Sequence, residues 1–149
     1  MEPIIDLAPG AEENTLAVEI ADRIRESVAH RRGAAADFRT LRASVLMVAQ
    51  DLGESFTLRF DHGRLTVHDG GVGIPSVTFC GDAEALRRLS QFPLTPWLRI
   101  PFVGPFTREG RETWRLLAGF LAADFKVYGL VAHPRTVVYL LRLLSSQSA

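Results

Sequence analysis

From Leu16 onward apolar residues recur at helical spacing: Leu16, Ala17, Ile20, Ala21, Ile24 and Val28 share one stripe, and Glu19 stands four before Arg23 on the polar side. Asn14 is a good N-cap type, so the pattern predicts an amphipathic helix ending near His30. Gly33 and three alanines lead to a second stripe of Phe38, Leu41, Val45, Val48, Ala49 and Leu52, widened by Leu46 and Met47. With Asp37 at its start and Gly53 at its end, it predicts a second helix.

The period then changes to two. In SFTLRF, Phe56, Leu58 and Phe60 point one way while Thr57 and Arg59 point the other, and RLTVHD repeats the alternation with Leu65 and Val67. The intervening DHG is turn chemistry, which predicts a hairpin with one apolar face. A turn through Gly70, Gly71, Gly73 and Pro75 leads to SVTFCG, a third strand with Val77 and Phe79 inward. Asp82 is placed to cap a short helix from Ala83 to Gln91 that turns Leu86 and Leu89 inward, with Glu84 in the first turn favoured by the helix dipole.

Four prolines interrupt the apolar segment FPLTPWLRIPFVGPF, so its backbone is irregular while its side chains want burial. Within it, LRIPF is the candidate for a further strand. Thr107 to Ala118 reads as a helix with Trp114, Leu117 and Ala118 on one side. A strand from Phe125 to Val131 follows, and then a last helix started by Pro134, which suits the first helical turn.

That last helix carries an apolar surplus. Arg135 and Arg142 share one face, while Val137, Val138, Tyr139, Leu140, Leu141, Leu143 and Leu144 cover the rest. Burying one such aliphatic side chain is worth about 1.5 to 3 kcal/mol, so several left in water would forfeit a large share of a typical stability of about 5 to 15 kcal/mol. Three kinds of cover suit it: the chain's own helices and proline-rich segment, a second protein chain, or an apolar ligand. The proline-rich segment adds Phe92, Trp97, Phe102 and Phe106 as a second apolar surface, and small-molecule pockets are largely apolar concavities.

Composition narrows the functional classes. The 149 residues carry 17 Lys plus Arg and 17 Asp plus Glu, which gives no cation surplus for nucleic acid. His30-Arg31-Arg32 and Arg87-Arg88 read as solvated faces. Cys80 is the single cysteine, so no internal disulfide forms. The acidic start MEPIIDLAPGAEEN lacks the layout of a signal peptide, and no window approaches the roughly 20 apolar residues of a membrane span. A cytoplasmic location is the expectation.

Catalytic signatures are missing from the pattern. No G-x-S-x-G occurs, and Cys80 reads as a strand thiol facing away from Phe79. His30, His62, His68 and His133 lack metal-ligand spacing, and GGVG precedes no lysine and opens no long helix. Neither enzyme activity, metal nor cofactor is expected.

The order of the hairpin, SVTFCGDAEALRRLSQ and DFKVYGLVAHPRTVVYLLRLLS resembles the sterol carrier protein (type two) family over about Ser55 to Ser146. VTFCG before the acidic helix start DAEALRRL, and KVYGL before an aliphatic helix, carry the resemblance. It implies an α/β fold of the α+β type: a mainly antiparallel four- to five-stranded sheet covered on one face by helices, with two N-terminal helices preceding it. It further implies a non-catalytic domain holding a fatty acyl, sterol or prenyl lipid between sheet and C-terminal helices. Matching ligand positions are Leu86, Leu89, Trp114, Leu117, Tyr139, Leu140 and Leu143, each of which also suits ordinary core. The expected organisation is a flexible terminus over 1–13, one domain over 14–146 and a short tail. The alternative is an interaction module whose last helix forms a homodimer or partner interface.

Overall fold

A computed structural model describes residues 4–30, 32–88, 126–129 and 132–144. In chain order they form β1 (Ile4–Leu7), a 3-10 turn (Ala11–Glu13), α1 (Thr15–His30), α2 (Arg32–Thr40), β2 (Arg42–Ala49) and β3 (Glu54–Asp61). Then follow β4 (Arg64–Asp69), β5 (Val77–Gly81), α3 (Ala83–Arg88), β6 (Lys126–Tyr128) and α4 (Pro134–Leu144). The six strands make one sheet in the order β1-β4-β3-β2-β5-β6.

Helix α1 follows the pattern. Asn14 Oδ1 accepts from Ala17 N at 3.1 Å, satisfying one of the free amide groups at the helix start. Leu16, Ala17, Ile20, Ala21 and Ile24 are buried along one stripe. Glu19 instead reaches forward to α3, accepting from Arg87 Nε at 2.9 Å, and this hydrogen bond with its charge attraction raises the Arg87 pKa above its ordinary value.

The expected second helix is corrected. Helix α2 stops at Thr40, and residues 42–49 are a strand at the middle of the sheet. Val45, Met47 and Ala49 are buried on the helix-covered side, while Leu46 and Val48 are half-buried on the other. A strand covered on both faces loses its period of two and then resembles a helix in sequence. Asp37 opens nothing; its carbonyl accepts from Leu41 N at 2.9 Å in the last turn of α2. Leu52 ends 54% exposed in the β2–β3 turn.

The hairpin forms as expected, with Phe56, Leu58, Phe60, Leu65 and Val67 buried. His62 (φ 46°) and Gly63 (φ 97°) both adopt the left-handed conformation of a tight hairpin turn. Their amides donate to Leu41 O and Phe38 O at 3.1 and 3.2 Å, so the turn caps the end of α2. Phe38 also meets Phe60 edge to face, ring centres 6.2 Å apart.

The strand count differs from expectation: among the described residues six strands stand where four or five were expected. The sheet is mainly antiparallel as expected, three pairings against the parallel β1–β4 and β2–β5. β1 also precedes both helices, within the stretch 1–13 expected to be a flexible terminus, so the helices do not come before the whole sheet. β5 buries Val77 and Phe79 as expected. β6 spans three residues of the expected strand before the chain turns at Gly129, where φ is 88°.

Because β5 pairs with β2, the connection from β4 crosses over β3 and β2. Residues 70–76 form this strap on the sheet face away from the helices. Val72 N donates to Thr57 Oγ1 at 3.1 Å, Thr57 Oγ1 donates to Gly70 O at 2.7 Å, and Ser76 N donates to Ser44 O at 2.7 Å. Thr57, expected on a polar outer face, is therefore 1% exposed yet fully bonded.

Candidate functional site

The layer between sheet and helices is apolar, and Leu86, Leu140 and Leu143 are buried in it. From the sheet come Val45, Met47, Phe56, Leu58, Val67, Val77 and Phe79, whose alternation places them all on one face. Val127 of β6 pairs with Phe79 and continues that face, partly buried against the core. Helix α4 packs against α1 and α2. His133 accepts from Val137 N at 3.4 Å through its carbonyl and Pro134 fills the first turn, as the sequence requires.

Of the eleven candidate ligand residues, the structure brings four together. Leu86 from α3 and Leu140 and Leu143 from α4 are each 0% exposed within one apolar core, and Tyr139 is partly buried against it. The three leucines offer no surface to a water-sized sphere, so they are packed interior in this state. Leu143 accordingly has no surface to give a partner chain. Tyr139 alone of the four keeps accessible surface beside the core. Leu89, Phe92, Trp97, Phe102, Phe106, Trp114 and Leu117 lie outside the described residues. So do the proline-rich segment with LRIPF, and the expected helix from Thr107 to Ala118.

The capping of α3 was only half visible in sequence. Asp82 holds the N-cap position, its carbonyl accepting from Leu86 N at 3.0 Å. The side chain that receives the Ala83 amide, at 2.9 Å, is Asp51 from the β2–β3 turn. This long-range cap fixes Leu86 against the core. No local motif could have named Asp51.

A concavity elsewhere among the described residues is polar. Gly10, Glu13, Asn14, Gly53, Glu54, Ser55, Asp69 and Gly70 line an open depression of about 420 Å³ at the start of α1. Its carboxylates and bare backbone suit water, not an apolar chain. Among the described residues, no group of three or more His, Cys, Asp or Glu could hold a metal ion. Cys80 is a half-buried free thiol on the strap side of β5.

Comparison with solved structures decides the fold. A structure titled UbiJ-SCP2, ubiquinone synthesis protein, superimposes with a TM-score of 0.56 at 16% identity, covering 90% of this chain and 98% of that one. The fold is sterol-carrier-like. The solution structure of a conserved hypothetical protein of Thermus thermophilus, described as a possible sterol carrier protein, aligns with a TM-score of 0.45 at 12% identity over 90% of this chain and 89% of that one. No protein-family model matches the chain, and no curated protein matches it. The sterol-carrier-like fold thus agrees with the resemblance carried by VTFCG and KVYGL. Among the described residues, no helix is long and apolar enough to cross a membrane.

Proposed function

We propose that this chain binds an apolar ligand, a fatty acyl, sterol or prenyl lipid, in the layer between the sheet and its C-terminal helices. The likeness of nearly the whole chain to a protein titled as a sterol-carrier-type ubiquinone synthesis protein carries this reading. The aliphatic composition of α4 supports it, since a layer built from Val, Leu and Phe selects ligands by desolvation, with little polar specificity. Tyr139 is the described residue best placed to meet the ligand, having free surface next to buried Leu140 and Leu143.

Leu86, Leu140 and Leu143 then form the packed wall behind the ligand. Leu89, Phe92, Trp97, Phe102, Phe106, Trp114 and Leu117 are proposed as the remaining contacts on the strength of the sequence alone. The role is binding or transfer without turnover.

Native mass spectrometry of protein purified from cells tests the proposal, together with titration of a fluorescent fatty acid and of a prenylated phenol. Co-purified lipid, or saturable binding at micromolar concentration weakened by Tyr139→Ala, is the expected result. No co-purified lipid and no binding of either probe would overturn it.

A further inference from the structure

The sheet face away from the helices carries an exposed apolar tip among cations. Ile74, at the middle of the 70–76 strap, is 93% exposed, and Val72 is 42% exposed. No charged residue occurs from Gly70 to Gly81, so the strap itself is neutral. The strap is held at both ends by the bonds of Thr57 and Ser44, which fixes the place of Ile74 between them. Exposing a whole isoleucine on so short an anchored segment has no packing benefit inside the chain.

The strand register sets three arginines beside the strap, toward the β3–β4 hairpin end of the same face. Arg59 follows Thr57 by two residues on the same face and stands directly opposite Ser44. Arg42 is two residues from Ser44, and Arg64 two from Thr66, which pairs with Arg59. All three arginines are exposed. Farther along the same face are exposed Lys126 and Tyr128, the latter pairing with Thr78. Among the described residues the acids on this face are Asp61, opposite Arg42, and Asp6, opposite Thr66, so its four described cations less two acids leave +2. Among the described residues, His68 of β4 also lies on this face, opposite Thr57, and Cys80 of β5 lies on it beyond β3 and β2.

We propose that this face docks the protein on anionic lipid surfaces. Ile74 and Val72 enter the headgroup layer, Arg42, Arg59 and Arg64 contact lipid phosphates, and Tyr128 sits at the interface as amphipathic rings do. An exposed aliphatic tip beside cations, on a chain of zero net charge, is complementary to a fluid apolar layer beneath anions. The surface stands on exposure and charge, independently of whether the interlayer holds a ligand.

Flotation of the full chain with phosphatidylcholine vesicles, with and without phosphatidylglycerol, tests this. The expected result is retention by the phosphatidylglycerol vesicles only, falling as salt rises because exposed charges are screened. Ile74→Asp should weaken retention by about tenfold or more, and the Arg59→Gln/Arg64→Gln pair by about twenty-fivefold, roughly fivefold for each arginine. Both variants alter exposed side chains, and unchanged melting curves would show that they fold. Absence of vesicle retention, or retention indifferent to both variants, overturns the proposal. So does finding that the variants disrupt association with a protein while vesicles are ignored. A fluorescent fatty acid titration without vesicles runs alongside: normal uptake beside failed flotation overturns the docking face and leaves the ligand reading intact.

Discussion

Asn14 Nδ2 donates to Asp69 Oδ1 and to Ser55 O, both at 3.0 Å, so the residue that starts α1 also clasps the end of β4 and the beginning of β3. The same side chain caps the helix through its oxygen. An amide is required because it donates to one neighbour while accepting from another. Asn14→Ala should therefore cost about 1 to 2 kcal/mol in urea unfolding, toward the upper end for a cap. Asn14→Asp keeps the cap but sets a second carboxylate against Asp69; it should destabilise at neutral pH, and the loss should shrink as acid protonates the pair.

Gly129 should not accept a side chain. Its φ of 88° suits glycine, and a Cβ there would collide with the Ser76 carbonyl where β6 turns away from the strap end. Gly129→Ala is expected to cost about 3 kcal/mol, combining left-handed strain with a backbone clash. Gly53→Ala, at a similar φ of 65° but with nothing within 4 Å, should cost only about 1 kcal/mol. Paired thermal melts compare the two directly.

Packing and binding should separate within α4. Leu140→Ala removes a side chain with no accessible surface and should lower stability by about 2 to 5 kcal/mol. Tyr139→Ala, at a partly exposed position, should lose less stability and show its main effect in titration of the fatty acid probe. Equal loss of stability from both would argue that Tyr139 is structural.

The cap of α3 should respond to a residue thirty-two positions away from it. Asp51→Ala is expected to cost about 1 kcal/mol by leaving the Ala83 amide without its acceptor. Asp82→Ala, which keeps the backbone bond to Leu86, should cost less. Hydrogen exchange at Ala83 reports the difference.

Much of this architecture is legible where one face is wet and the other dry. α1, the hairpin and β5 show clean periods, and Pro134 marks the start of α4. β2 hides because Leu46 and Val48 lie on the strap side while Val45 and Met47 lie beneath the helices, leaving no polar face to set the period. β1 hides for the opposite reason: Ile4 and Leu7 are exposed and only Ile5 is partly buried against the core, so no alternation of core residues marks it. Thr57 and Asp51 reveal nothing locally, since their partners Gly70, Val72 and Ala83 come together only through topology. Of the candidate site residues, the four described ones come from α3 and α4, and tertiary packing alone sorts Tyr139 from the buried leucines.

Among the described residues the sheet is bordered on one side by β1, of only four residues, against eight in each of β2 and β3. A bordering strand offers unsatisfied amides along its length to any neighbouring molecule, and brief borders offer few. The long apolar strands most able to recruit other copies into a growing fibril thus lie in the interior of the sheet, where both of their sides are already paired.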